Sequence, residues 1–354
     1  MALDFVGATD EHIRALNKVE LHVHVEGAAT PATVAELARR NGVDLGVAEP
    51  DDLYEFADLT DFLRVYDLVC RCLRTADDFR LVTYEALTIA YAAGVVYREM
   101  FFSPTFAMRY GVAFDTIWDG IRTGIRDAQT DHGITCRMIL DIDKPSGPAA
   151  AAELVEFAAS CDRDVLIGIG GDAGERGVDL AALAAPFAGA RRLGFRTTMH
   201  LGEEGPVDDI RVGVDVLGVE RVDHGFSLVD DADLVRRFAD ERIPITACPT
   251  SNRCIGLIES VADHPLLRLR DEGVLVTLNS DNAAMFRIDL ADELVNVRDA
   301  FGCTLADLED LALAGIEASW LDESTQRSTR RDFLTAMDRL RSERGLAPRP
   351  GGNA

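Results

Sequence analysis

Short runs of β-branched and aromatic residues alternate along the chain with helix-length amphipathic segments, the pattern of βα units that build a parallel sheet. The runs predict strands at Val19–Val23, Val95–Phe102, Ile134–Ile142, Val165–Ile169, Arg196–His200, Arg221–Asp223, Ile243–Ala247 and Leu275–Asn279. Eight such units predict an α/β protein with a closed (β/α)8 TIM barrel.

The helix after the first predicted strand can be read residue by residue. Thr30 is an N-cap, Pro31 suits the first helical position, Val34, Leu37 and Ala38 share one face, and Gly42 ends the element. Between this helix and the second predicted strand lie about 50 residues, far more than a minimal connection needs. Phe62, Tyr66 and Val69 recur there at helical spacing. This helical insertion after the first strand is either a lid over a site or a structural helical layer.

A chain of 354 residues accommodates such a barrel as one domain, expected over residues 1–345. The Pro/Gly-rich end, 346–354, has no apolar face and is expected to be a disordered tail. Hydrophobic residues make up 47% of the sequence, yet no apolar run approaches the roughly 20 residues that cross a bilayer. Met-Ala-Leu-Asp-Phe-Val-Gly at the start lacks the features of a signal peptide, which predicts a cytoplasmic protein. The seven cysteines lie mostly in apolar stretches and predict no disulfide framework. A formal net charge of −25 repels phosphate backbones and anionic membranes, so neither nucleic acid nor a membrane is an expected partner. Oligomeric state leaves no signature in the sequence.

Chemistry concentrates at predicted strand ends. His22 and His24, two apart in a strand, point to one side and can offer both imidazoles to one metal ion, although a surface strand can carry such a pair by chance. His200 and His224 fall at or just past the ends of two other strands, where barrel enzymes place their chemistry. His12, His132 and His264 fall in helix or loop contexts and receive no role. Asp281 follows the last strand and reads equally as an oxygen ligand, a proton acceptor or a helix cap.

Taken together, Glu20-Leu-His-Val-His-Val-Glu-Gly27, His200-Leu-Gly-Glu203, Arg221-Val-Asp-His-Gly225, Cys248-Pro-Thr-Ser-Asn252 and Asn279-Ser-Asp281 resemble the adenosine/adenine deaminase family in order and spacing. That resemblance covers nearly the whole chain. It implies a (β/α)8 barrel holding one zinc ion through His22, His24, His200 and Asp281, with a position left for water. It implies that Glu203 protonates a purine ring nitrogen, that His224 orients and deprotonates the water, and that Asp281 takes part in catalysis. Glu26, Gly174 and Asn282 are the implied substrate contacts. Asp223 is expected behind the site, orienting a histidine, and Glu204 is expected as a solvated charge.

Glu26, Asp223, Glu99-Met-Phe-Phe-Ser-Pro104 and Gly168-Ile-Gly-Gly-Asp-Ala-Gly-Glu175 look more like the adenine-type branch. Asn282-Ala283 departs from the family's usual second aspartate and proline, so an amide stands where a carboxyl normally meets the purine's imidazole ring. Ala107, in Thr105-Phe-Ala-Met108, replaces a polar residue and predicts an apolar loop with room for a larger substituent. The resemblance therefore implies zinc-dependent hydrolytic deamination of a 6-aminopurine base or nucleoside. Its alternatives are a modified adenosine such as aminodeoxyfutalosine, and a non-catalytic purine-binding relative. A binuclear site needs a bridging lysine on the fourth strand, whereas Lys144 follows the third.

Overall fold

Eight strands form where the apolar runs predict them: β1 (Lys18–Glu20), β2 (Val95–Phe102), β3 (Thr135–Asp143), β4 (Leu166–Asp172), β5 (Arg196–Leu201), β6 (Arg221–His224), β7 (Ile245–Ala247) and β8 (Val276–Leu278). All seven neighbouring pairs are parallel and follow sequence order, β1 to β8. The computed structural model describes residues 8–349. The N-terminal stretch 1–7 and the last five tail residues, 350–354, lie outside the described residues. Of the tail, Leu346 N donates to Arg341 O (2.9 Å) and Arg349 pairs with Asp310.

Closure happens at the carboxyl ends of β1 and β8. Asp281 N donates to His22 O (3.0 Å), and His24 N donates to Asp281 O (2.9 Å). On the other side Phe101 N donates to Val23 O (2.8 Å) and Val25 N to Phe101 O (2.9 Å). The regular ladder of β1 ends at Glu20, three residues earlier than the apolar run suggests, but these bonds continue its path between β8 and β2. Three of the four residues expected to hold a metal, His22, His24 and Asp281, are thus part of the barrel's backbone seam.

β4 runs three residues beyond its predicted end. Gly170 and Gly171 are poor strand formers by propensity, which is why the run reads short. They are strand here because neighbours need the space: a Cβ on Gly170 would lie 2.1 Å from Asp141 Oδ1. Register places Asp141 beside Gly170 and Asp143 beside Asp172, so the extension carries Asp172 to the rim.

A charged column fills the barrel below the site. Arg221 is fully buried, donates from Nη1 to Glu99 Oε2 (2.7 Å) and lies 4.1 Å from the Trp320 ring centroid. Trp320 packs against Gly168, where a Cβ would come within 2.4 Å of its ring, and its backbone N donates to Glu99 Oε1 (2.7 Å). The Glu99 carboxylate and the Trp320 ring offset the charge of Arg221 where an isolated one would be costly, although its Nε and Nη2 have no hydrogen-bond partner.

Helix Pro31–Asn41 forms as read, with Thr30 accepting from Thr33 N and Gly42 at φ +66°. Such a cap contributes about 1 kcal/mol. The insertion holds helices Leu59–Cys72 and Ala76–Ala92. The first of these presents Leu59, Phe62, Leu63 and Tyr66 to a cavity at the carboxyl ends of the strands, while Val69 faces the core. Among the described residues no helix is long and apolar enough to cross a membrane. All seven cysteines are unpaired.

Candidate metal centre and active site

Four imidazoles meet in the barrel mouth. The ring of His22 lies 4.6 Å from that of His200 and 4.7 Å from that of His224, centroid to centroid, and His24 completes the group at 5.5 Å from His22. Asp281 brings Oδ1 to 3.4 Å from Nε2 of both His22 and His24. It does so from a left-handed backbone at φ +58°, a conformation that aspartate and asparagine tolerate better than most residues.

Tautomers follow from the partners. His200 Nδ1 faces the carbonyl of Gly171 at 3.0 Å, so this nitrogen carries the proton and Nε2 is a lone pair. Asp223 accepts from Thr246 Oγ1 (2.9 Å), whose oxygen in turn faces His22 Nδ1 at 2.9 Å. With its one proton committed to Asp223, Thr246 accepts from His22, and His22 Nε2 is left as a buried lone pair without a partner. His24 Nε2 lies 3.0 Å from His200 Nε2. Burial depresses the pKa of all three rings, that of His24 to about 3, so they stay neutral.

The lone pairs of His22 Nε2 and His200 Nε2 thus face one space beside the Asp281 carboxylate, an arrangement that a cation among them stabilises. His22, His24 and Asp281 offer ligand atoms within 4.8 Å of one another, as do His22, His200 and His224. The donor set, imidazole nitrogen with one carboxylate oxygen, suits a transition-metal dication. Asp223 stands behind the rings, 3.8 Å from Nδ1 of both His22 and His200. Its own pKa rises to about 6, chiefly by burial.

Glu203 faces the same space from the turn after β5. Its side chain is 11% exposed, enough for contact with a ligand, and Oε1 lies 3.5 Å from His224 Nδ1 and accepts from Asn252 Nδ2 (3.3 Å). Burial raises its pKa well above the ordinary carboxylate range, and the negative charges of Asp281 and Glu175 add to the effect. Burial likewise lowers that of His224, so the pair is a protonated acid beside a neutral imidazole. His224 adopts φ +62°, a strained geometry for a histidine in a site that needs its ring held.

The expected substrate contacts are placed differently from one another. Glu26 is buried with both oxygens engaged, Oε1 by Ser103 N (3.0 Å) and Oε2 by the Tyr66 hydroxyl (3.1 Å). Asn282 lines the cavity and donates from Nδ2 to Asp281 Oδ1 (2.6 Å), leaving its own Oδ1 unpartnered. Gly27 permits this, since a Cβ there would stand 1.8 Å from Asn282 Oδ1. Gly174 lies in the loop after β4, beside Ala173, which lines the cavity. The expected apolar loop at Ala107 is instead a short helix, Pro104–Met108, started by Pro104, in which Phe106 faces the cavity and Ala107 is buried. Glu204 pairs with Arg176 (3.1 Å).

Several residues of the site receive no role from the sequence, although Asp172 and Ser251 lie inside motifs that carry the resemblance. Asp172 lines the cavity, accepts from the Ser103 hydroxyl and keeps Oδ1 unpartnered, with a pKa raised by burial to about 7. Asp141, inside the apolar run of β3, has neither oxygen hydrogen-bonded and lies 3.8 Å from His24 Nδ1. Ser251 donates to Asp281 Oδ2 (2.6 Å). A carboxylate at a strand's carboxyl end in a barrel is the signal that reveals Asp141 and Asp172.

A (β/α)8 barrel with histidines and an aspartate converging at its carboxyl-terminal mouth defines a class, the amidohydrolase-type hydrolases that hold a metal ion. Within that class, the family model described as adenosine deaminase matches residues 17–335, and the chain belongs to this family. An adenine deaminase of Streptomyces coelicolor is 37% identical over 318 residues, covering 89% of this chain and 93% of the relative. A crystal structure of adenine deaminase from Arthrobacter aurescens superposes with a TM-score of 0.86 at 30% identity, over 90% of this chain and 98% of that one. An amidohydrolase from Burkholderia ambifaria with bound zinc gives a TM-score of 0.88 at 32% identity, over 94% of both chains.

The Thr246 link is testable on its own. Thr246→Val keeps the shape but strands the His22 N–H and a carboxylate oxygen of Asp223. We expect affinity for a divalent metal to fall about 10–100-fold, read by chelator competition. Unchanged affinity would show that the hydroxyl does not orient His22.

Proposed function

We propose that the protein is a deaminase holding one zinc ion through His22, His24, His200 and Asp281, and that it converts a 6-aminopurine base, adenine in the first instance, to the 6-oxopurine and ammonia. The observation that carries this reading is the shared geometry of acid, base and cluster. Glu203, His224 and Asp281 bring ionisable atoms within 4.8 Å of one another in the cavity that His24 and His200 also line. Relatives named adenine deaminase support the same substrate class.

A bound zinc ion supplies hydroxide as a nucleophile near neutral pH. The chain's own residues do the rest. Glu203, protonated, donates to the ring nitrogen next to the carbon that bears the amino group, which makes that carbon electrophilic. His224, neutral, takes one proton from the attacking water and returns it to the departing amine, and the second proton of that water passes back to Glu203 as the 6-oxo group forms, so water enters and ammonia leaves without other reagents. Phe62 and Phe286 stack at 5.4 Å as part of an apolar roof that keeps bulk water from the reacting atoms.

Free base is favoured over nucleoside by the polar groups that remain unpaired. Glu26 has both oxygens engaged within the protein, whereas Asp172 Oδ1 is a buried acceptor without a donor. A free purine has an imidazole N–H to give to such an acceptor, and a nucleoside bears its sugar there. A site built to bond an N–H rejects an analogue lacking it by about 10⁴-fold or more. Parallel assays of the zinc-loaded protein with adenine, adenosine and 5′-modified adenosines, read by ammonia release, test the reading. We expect turnover of adenine, and preferential turnover of a nucleoside would remove the base from the proposal. If no 6-aminopurine releases ammonia, the deaminase reading falls altogether.

A further inference from the structure

Glu175 makes an unusual set of contacts for a loop carboxylate. It follows β4, is buried, and accepts four consecutive backbone N–H groups from the turn after the adjacent strand β5. Oε2 receives Gly202 N (2.7 Å), and Oε1 receives Glu203 N (2.9 Å), Glu204 N (3.0 Å) and Gly205 N (3.2 Å). The turn that carries Glu203 is thus wrapped around a single carboxylate from the neighbouring loop.

The surrounding residues are chosen for this embrace. Gly202 sits at φ +66°, and its carbonyl accepts from Ser227 N (2.8 Å) on the opposite side. A Cβ on Gly202 would lie 2.4 Å from Ser227 Oγ, and one on Gly205 would lie 2.5 Å from Glu175 Oε2. Glu203 is gripped twice: its backbone by Glu175, and its carboxyl head by Asn252 with His224 alongside. The Glu175 grip fixes where the side chain begins.

We propose that Glu175 is a positioning residue for the deamination: by fixing the four amides of Gly202–Gly205 it holds Glu203 at the distance and angle from which it protonates the purine ring. Glu175 does not touch substrate in this role. The inference rests on Glu203 being the proton donor, as proposed above. Bonds to a charged acceptor are stronger than neutral ones, and four on one carboxylate leave the turn little freedom. A displacement of about 1 Å in a reacting group costs on the order of 10²-fold in rate, which sets the size of the expected effect.

The test compares Glu175→Ala and Glu175→Gln in the zinc-loaded full-length protein, alone and combined with Glu203→Gln. Gln keeps the length and one acceptor oxygen but presents an NH₂ group to one side of the turn. We expect kcat for adenine to fall on the order of 10²-fold in Glu175→Ala and less in Glu175→Gln, with KM and zinc content near those of the wild type. Amides 202–205 should exchange with solvent faster in both variants. The decisive arm is the double variant. If Glu175 acts through Glu203, Glu175→Ala on top of Glu203→Gln costs almost nothing further, because the proton to be positioned is gone.

Losses that multiply in the double variant overturn the proposal, as does zinc loss in parallel with turnover, or a kcat that does not change. A wild-type protein inactive on every 6-aminopurine overturns the deaminase reading instead. The exchange comparison then still decides the structural half, since unchanged exchange of amides 202–205 in Glu175→Ala would show that the turn does not depend on this carboxylate.

Discussion

Glu203→Gln is expected to lower kcat for adenine by about 10²–10⁴-fold, the range that a positioned general acid contributes. The substitution is nearly isosteric, and the amide oxygen can still accept from Asn252 Nδ2, so the turn and the zinc content should survive. What disappears is a proton that the site takes care to keep. Burial, and then the charges of Asp281 and Glu175, hold the Glu203 carboxyl well above its usual pKa. In the proposed mechanism the working form is the protonated one, so wild-type activity is expected below that raised pKa and should fall as pH rises through it. In the variant the small residual rate should lose this alkaline limb, because nothing remains to titrate there. A variant that keeps its turnover within about tenfold of the wild type would take Glu203 out of the acid's role.

The reach of the sequence can be judged element by element. Most strands are legible because parallel strands buried on both faces read as near-continuous apolar runs, whereas β6, Arg221-Val-Asp-His224, carries a single apolar residue and is placed by its position in the alternation of strand and helix. Helix Pro31–Asn41 was legible because its cap, first-turn proline and terminal glycine are local signals. The pair His22/His24 converges with His200 and Asp281 although the regular part of β1 stops at Glu20, since bonds to β8 and β2 hold the extended path. The misses are of another kind. Thr246 looks like any β-branched strand residue, and only the bonds on either side of its hydroxyl reveal its task. Glu175 satisfies amides 27 to 30 positions away, a relation with no periodicity to read. Asp172 stands inside a motif that carries the resemblance but reads as loop because two glycines precede it, whereas their need for space beside Asp141 and Met199 keeps the strand going. Local patterns announce elements and ligand types, while the polar partners that orient those ligands exist only in three dimensions.

Asp281→Asn should separate the metal from the fold. The backbone at φ +58° suits asparagine about as well as aspartate, and the bonds that close the barrel, Asp281 N to His22 O and His24 N to Asp281 O, do not involve the side chain. The metal-free variant should therefore melt no lower than metal-free wild type. Removing a negative charge that stands 3.4 Å from Nε2 of both His22 and His24 relieves repulsion, which balances the hydrogen bond weakened at Ser251 or Asn282. With zinc the order reverses. At zinc concentrations about 100 times the dissociation constant, the wild type gains about 2.7 kcal/mol of stability by mass action. The variant has exchanged an anionic ligand for a neutral one, and one of the two donors that met Asp281, Ser251 Oγ or Asn282 Nδ2, now meets an NH₂ group. Its zinc affinity should fall by more than the roughly 10–100-fold that loss of a supporting hydrogen bond costs, with turnover falling in step at limiting zinc. Asp281→Ala is the control for the backbone: the left-handed geometry costs it about 1–2 kcal/mol with or without metal. Thermal melts of the three proteins, stripped by chelator and then titrated with zinc, decide the matter. An Asp281→Asn variant that is destabilised when metal-free, yet binds zinc as tightly as the wild type, would assign Asp281 to the fold and remove it from the metal site.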